Sequence, residues 1–266
     1  MLVPGKVSRR VGNWCEESML REEKLREFRE KIEKGDMGFM KRQRRAEILD
    51  QPVALSSTLL FGENMTIKSM FSKGFLTVNT PECYPDLSSK NALPATVSLK
   101  DQMDGLDSKA RMCFRLERKI DLGPGYDKQP RWGEHIYITI HLPQINAPLY
   151  LASKMRSMAD FKSAEKQQCY FSFDGDSNAV WKYEWSDAEY RMEMEGTIIE
   201  PGTVGVITHL HTGRQLYVDS SSVLRGDFGT EWNVNCEVYK QTPVRSVQNP
   251  NHWMFGLASP AKSSQH

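Results

Sequence analysis

One local order of residues occurs three times in this chain, and a chain that repeats a small strand unit has few ways to bury it. From Gly62 the order is Gly62-Glu63-Asn64-Met65-Thr66-Ile67-Lys68, a loop, then Phe75-Leu76-Thr77-Val78-Asn79. It returns as Gly133-Glu134-His135-Ile136-Tyr137-Ile138-Thr139-Ile140 with Leu149-Tyr150-Leu151-Ala152-Ser153. The third copy is Gly202-Thr203-Val204-Gly205-Val206-Ile207-Thr208-His209 with Leu216-Tyr217-Val218-Asp219-Ser220. Leu76, Leu149 and Leu216 lie 73 and 67 residues apart. Each copy carries two later strand candidates: Ala95 to Leu99 and Met112 to Glu117, Cys169 to Phe173 and Val180 to Trp185, Cys236 to Lys240 and His252 to Leu257. Four short strands in each of three copies, separated by Gly, Pro, Asp and Ser loops, predict a closed all-β architecture, because no single copy can bury its apolar face alone. The arrangement expected is a β-trefoil. Ser186 to Gly196 alternates acids with Tyr190, Met192 and Met194, a pattern that suits a turn of helix or a strand.

The first fifty residues are different material. They hold 23 charged side chains, against 46 in the remaining 216 residues. The composition boundary near Pro52 divides the chain into an arm, 1–50, a strand domain, 51–258, and a short tail, 259–266. In the arm, Asn13 can cap a helix whose first turn carries Glu16 and Glu17, and Gly35 stands where a helix stops, so about five turns are expected. Glu22 and Arg26, Glu27 and Lys31, and Glu30 and Lys34 are pairs four apart with the acid first, each contributing about 0.2–0.5 kcal/mol. Leu20, Leu25, Phe28 and Ile32 make only a narrow apolar stripe, which places the helix on a surface. A second helix, Phe39 to Leu49, carries Lys41, Arg42, Arg44 and Arg45 almost consecutively. That run reads as a solvated face or as a patch for an acidic partner. Trp14, beside Gly12 and Arg9-Arg10, has no local core to enter; it reads either as an interface anchor, a role that favours Trp and Arg, or as a side chain packed back onto its own domain.

Charge and hydropathy narrow the function classes. The 35 Lys and Arg nearly balance 34 Asp and Glu, so bulk nucleic-acid binding is not indicated. A mean hydropathy of −0.55 and the lack of any apolar run of membrane length argue against a spanning helix. The amino terminus runs into charge instead of an apolar signal core, and the five cysteines are scattered and never spaced C-x-x-C, so a reducing compartment is expected. His209 and His211 share a face of their expected strand, yet no third ligand accompanies them, and they read as a structural pair. Asp174-Gly175-Asp176-Ser177-Asn178 starts like a calcium loop, but Ala179 and Trp185 stand where Gly and Glu are required, so it reads as a turn. No nucleophile elbow or phosphate loop is present, Ser220-Ser221-Ser222 reads as a loop, and the stray carboxylates Glu193 and Glu195 fit simple alternation. The expectation is a chain with no cofactor that is not an enzyme.

Two likenesses follow from particular residues. Thr208-His209-Leu210-His211-Thr212-Gly213-Arg214-Gln215-Leu216 resembles the repeat of MIR-type β-trefoils. Over nearly its whole length the chain resembles the cilia- and flagella-associated protein 161 family. That likeness is carried by Gly12-Asn13-Trp14, the charged helix around Leu20 to Lys34, Gln43-Arg44-Arg45, Met194-Glu195-Gly196, His211-Thr212 and Asn251-His252-Trp253-Met254. The resemblance implies a non-enzymatic microtubule inner protein of the axoneme, bound inside doublet microtubules on the A-tubule near its seam. Its partners would be the α/β-tubulin lattice and neighbouring inner proteins, and no nucleic acid or membrane. With it, Arg9, Arg10, Asn13, Trp14, Lys41, Arg42, Arg44 and Arg45 become the candidate partner-binding residues. The competing class is a carbohydrate or small-ligand binding trefoil.

Overall fold

The computed structural model describes residues 19, 21–23, 25–27, 29–30, 37–79, 93–98, 107–120, 123, 127–143, 147–155, 166–238 and 249–258. They fall into two units, one ending at Arg44 and one starting at Arg45. In the first, the described positions between 19 and 30 are helical and exposed, while the expected helix ends at Asn13 and Gly35 lie outside the described residues. Helix α1 (Met37–Leu49) supplies Arg45, Ile48 and Leu49 to the buried interior of the second unit.

The second unit is mostly β-sheet. Its strands are β1 (Pro52–Ala54), β2 (Thr66–Ser69), β3 (Leu76–Val78), β4 (Leu93–Val97), β5 (Asp107–Lys109), β6 (Arg115–Arg118), β7 (His135–Ile140), β8 (Leu149–Ser153), β9 (Gln167–Ser172), β10 (Val180–Trp185), β11 (Val204–His209), β12 (Gln215–Gly226), β13 (Gly229–Glu237) and β14 (His252–Gly256). Their pairings come in threes. The last strand of each copy joins the first of the next, as β6 with β7, β10 with β11 and β14 with β2. First and last strands also meet within a copy, as β7 with β10, β11 with β14 and, through a bridge between Met65 and Phe114, β2 with β6. These contacts close a ring of six strands that leaves no open edge. The middle strands form the hairpins β3–β4, β8–β9 and β12–β13, and β4, β9 and β13 pair with one another in every combination.

Register fixes which residues correspond. Trp181 faces His209 and Trp253 faces Ser69, each seven places after its copy's glycine, and the pairing of Arg115 with Thr139 puts Phe114 at the same place. All three rings are completely buried. Trp181 Nε1 donates to the Leu151 carbonyl at 2.7 Å and Trp253 Nε1 to that of Leu216 at 3.0 Å, so two copies satisfy a buried indole identically. The partner of Leu216 and Leu76 is therefore Leu151, not the Leu149 suggested by the shared Leu-Tyr dipeptide. The β7–β8 loop is longer than its counterparts, and the pairs Thr139–Tyr150 and Thr208–Gln215 set the true alignment. Gly62, Gly133 and Gly202 have φ of +82°, +79° and +81°, a left-handed turn into each copy that would cost another residue about 1–2 kcal/mol.

Beside the triangle of middle strands sits a buried ion pair. A 3-10 turn (Ala110–Met112) brings Arg111 Nη1 2.8 Å from Glu231 Oε1 on β13, and both side chains are almost fully buried. The other oxygen of Glu231 accepts from Thr96 Oγ1 at 2.7 Å, Asn79 Nδ2 at 2.7 Å and Thr77 Oγ1 at 3.1 Å. The guanidinium lies 4.1 Å over the Phe228 ring. Desolvation is offset chiefly on the carboxylate side, where four donors meet Glu231, and these bonds lock β3, β4 and β13 in one arrangement.

Several elements depart from expectation. Ser220-Ser221-Ser222 lies inside β12, as a bulge where the register passes from Asp219–Asn233 to Val223–Trp232. Asp219 Oδ1 accepts from Ser221 N and Oγ, and Asn233 Nδ2 donates to Ser222 Oγ, so the serines satisfy the irregular backbone locally. Strand β13 begins at Gly229, well before the expected Cys236, because it pairs with β12 from Gly226–Gly229 onward and buries Glu231, Val234, Asn235 and Cys236 on its two faces. The 186–196 segment contains one helical turn, Arg191–Met194. Strands β1 and β5, three residues each, pair only with each other.

His209, at the end of β11, is fully buried. Its Nε2–H donates to the Asn178 carbonyl and its Nδ1 accepts from the Thr212 hydroxyl, both at 2.9 Å. Burial, reinforced by the neighbouring His211, holds this imidazole below the ordinary value of 6.5. The unfolded chain takes up that proton first as pH falls, so the contribution of neutral His209 is present above about pH 6.5 and lost below it. His209→Gln should flatten the decline in stability between neutral and acid pH, as read by urea unfolding at a series of pH values. Arg111→Met should lower the free energy of unfolding by about 3–5 kcal/mol, because Glu231 is left buried and uncompensated. In the same assay, Arg111→Met combined with Glu231→Gln, which removes both charges and keeps an acceptor for Thr96, Asn79 and Thr77, should recover part of that loss.

Candidate partner-binding surface

Of the residues nominated from sequence, Arg9, Arg10, Asn13 and Trp14 lie outside the described residues, as do the side chains of Lys41 and Arg42. Arg44 is exposed on α1. Arg45 is not part of that exposed run: it is 3% exposed, with Nη2 2.8 Å from Asp227 Oδ2. The reason is helical spacing. Arg45, Ile48 and Leu49 stand at i, i+3 and i+4 and share the inward face, and that spacing was readable in the sequence.

The histidine pair does not share a strand face, because the chain turns after His209 and His211 sits exposed in the turn, with ring centroids 6.4 Å apart. Both nitrogens of His209 are already engaged. Among the described residues no group of three or more His, Cys, Asp or Glu could hold a metal ion. Asp176 accepts from Asn178 N and Nδ2 and starts a 3-10 turn (Ser177–Ala179), so the Asp174–Asn178 stretch is a turn, as expected. Cys113, Cys169 and Cys236 are free and buried, with the last two sulfurs 3.4 Å apart. Burial pushes the Cys113 thiol up to about 11 and raises that of Cys169, the opposite of what activates a nucleophile.

A groove of about 180 Å³ lies at the end of β10. After Trp185 the chain loops through the turn Arg191–Met194 and returns toward β11. That loop is held firmly: Arg191 Nε donates to the Trp185 carbonyl at 2.9 Å, Gly196 N to that of Trp132 at 2.9 Å, and Arg131 Nη1 to that of Gly196 at 2.9 Å. The floor is aromatic. Trp132 stacks on Tyr183 with centroids 4.6 Å apart and takes the edge of Trp185 at 5.2 Å. Gly205 leaves room for it, since a Cβ there would fall 2.7 Å from the Trp132 ring. A Cβ on Gly133 would stand 2.8 Å from Glu195 Cγ, so this glycine also lets the loop close over the floor.

Charge along the rim is unevenly matched. Glu184 bonds Lys182 at 2.7 Å and accepts from the Thr208 hydroxyl. Burial opposes its ionisation, yet these bonds together keep its carboxyl below the usual value. Glu195, at the mouth, makes no ion pair among the described residues. Met192, which lines the groove, is 88% exposed, the same loop exposes Tyr190 at 51% and Ile198 at 43%, and Met194 packs against the core. From the sequence this stretch suits either a turn of helix or an alternating strand, and it takes the helical turn. The available signal was one apolar residue more than a single inward face can use.

Residues that carried the family resemblance turn out to build the fold. Thr212 bonds His209 and receives the Gln167 amide, Asn251 donates to Gln215, Trp253 fills the ring interior, and Gly196 turns the loop with φ of +83°. Residues 141–258, from the loop before β8 to the end of β14, match the family model described as "Cilia- and flagella-associated protein 161-like domain". "Cilia- and flagella-associated protein 161" of Bos taurus is 26% identical, over 95% of this chain and 82% of that protein. The protein of the same name from Mus musculus is 26% identical, over 96% of this chain and 88% of its own length. Among solved structures, the S. cerevisiae protein O-mannosyltransferase Pmt1-Pmt2 complex bound to the sugar donor matches 79% of this chain and 27% of that one. Its identity of 16% and TM-score of 0.50 make this a likeness of fold alone. With the family model matching from the end of β7 through the third copy and the relatives aligning nearly end to end, the chain is similar over most of its length to the cilia- and flagella-associated protein 161 family.

Proposed function

We propose that this chain is a non-catalytic structural protein of cilia and flagella, an inner protein on the lumenal wall of doublet microtubules, on the A-tubule near its seam. There it braces the axoneme during bending. The observation that carries the reading is the alignment of relatives named for cilia and flagella with 95–96% of the chain. We assign the six-strand ring and its hairpins to a β-trefoil of the MIR type, a reading supported by the threefold recurrence of every class of strand pairing. A closed sheet with an ion-paired interior suits a strut, because it resists deformation without an exposed edge. The partners are the α/β-tubulin lattice and adjoining inner proteins, gripped by Arg9, Arg10, Asn13, Trp14, Lys41, Arg42 and Arg44. Arg45 is left out because Asp227 holds it. Many weak contacts repeated along one lattice add up, so single rim charges matter little and Trp14 is the main anchor.

One observation favours a second reading, a glycan-binding module: Tyr137 and Tyr150 form a half-buried edge-to-face pair with centroids 5.4 Å apart. A glycan array separates the two, since a strut predicts no binder.

In salt extraction of isolated axonemes, the chain should stay with the doublets until they disassemble. Release with the soluble matrix at low salt would overturn the lumenal reading. Deleting residues 1–36, upstream of α1, should weaken retention while the circular dichroism of the sheet and its melting temperature stay unchanged.

A further inference from the structure

Two buried thiols meet where the second and third copies touch. Cys169 stands on β9 and Cys236 on β13, in strands joined by the pairs Asn235–Gln168 and Cys236–Gln167. Cys169 is two places beyond Gln167, so it shares a sheet face with the thiol diagonally opposite. The sulfurs lie 3.4 Å apart, and a disulfide needs them about 1.4 Å closer, a movement within reach of side-chain rotation. Cys113 belongs to the first copy, after the 3-10 turn. The pair sits just inside the ends of its strands. Beyond Cys236 come Glu237 and the exposed Val238, and before Cys169 comes Lys166, whose ammonium bridges Asp219 at 3.0 Å and Glu237 at 3.3 Å. Lys166 is 38% exposed and Glu237 29%, so this clasp is a weak one. Its release lets the end of β13 fray and uncovers Cys236.

We infer that Cys169 and Cys236 form a disulfide site, closed by small-molecule disulfides such as oxidised glutathione, that staples the second copy to the third. While the strand end is shut, Cys236 is shielded from solvent and burial keeps the Cys169 thiol protonated. When it opens, the Cys236 thiolate attacks one sulfur of the glutathione disulfide and displaces one glutathione thiolate, which leaves a mixed disulfide. The Cys169 thiolate then attacks the Cys236 sulfur and displaces the second glutathione. Two protein thiols are oxidised, one disulfide is reduced to two thiols, and the two protons end on the departing glutathiones. The bridge joins residues 67 apart and closes a loop that holds β10, β11 and β12, so it acts mainly by restricting the unfolded chain. This inference does not rest on the lumenal location.

The test equilibrates the full chain in glutathione buffers of rising oxidised fraction, at a urea concentration just below its unfolding transition so that strand ends open freely. The chain is then alkylated, digested and mapped by mass spectrometry. The expected product is a pair of peptides joined through Cys169 and Cys236, two hydrogens lighter than the reduced pair and released by dithiothreitol, with Cys113 alkylated throughout. The bridged chain, returned to buffer without urea, should melt about 5–10 °C above the reduced one. Cys236→Ala should lose both the joined peptides and the difference between oxidised and reduced melting temperatures. Both thiols still alkylated in the most oxidising buffer, a lasting glutathione adduct on either, a bridge from either to a different cysteine, or a bridge that leaves the melting temperature unchanged would each overturn the inference. If the chain proves absent from axonemes, the function proposed above fails while this measurement keeps its meaning.

Discussion

Everything in the strand unit depends on the union of β14 with β2, which joins residues 252–256 to residues 66–69. Each copy has one apolar face and two unpaired edges, and neither problem is solved within the copy. The join completes the ring, places Trp253 beside Ser69, and turns three open hairpin units into an interior shared by Phe114, Trp181 and Trp253. The buried pair of Arg111 and Glu231 is secondary in that sense. It fixes how the first copy sits against the third, but only because the ring has already brought β13 beside β4.

Much of this arrangement was legible because Gly and aliphatic residues recur with a period, and a period is a statement about symmetry. The three left-handed glycines and most strands lay where the repeat put them. What escaped was whatever depends on partners distant in sequence. Leu149 and Leu151 are both leucines next to Tyr150, and only the pairing across β7 and β8 tells them apart. The serine run looked like a loop because its residues are polar, yet polar side chains are what a bulge uses to satisfy its own backbone. Arg45 was grouped with its neighbours by charge, although its spacing to Ile48 and Leu49 already assigned it to the inward face.

The candidate surface was less legible than the fold, for a related reason. The groove is made from the end of β10, Trp132 and Gly133, and the loop leading to β11, and no local stretch contains it. Conversely, blocks that mark the family in sequence, such as Asn251 to Met254, serve to assemble the sheet.

Ring closure by the final strand also sets a timetable for synthesis. A chain emerging amino end first carries β2 through all the strands between before residues 252–256 appear to cover it. Until then, the edges and apolar faces of all three copies stay unprotected, and contacts so distant in sequence form slowly. The nascent chain is therefore a natural client for cotranslational chaperones, and truncations near its carboxyl end should be far more damaging than their length suggests.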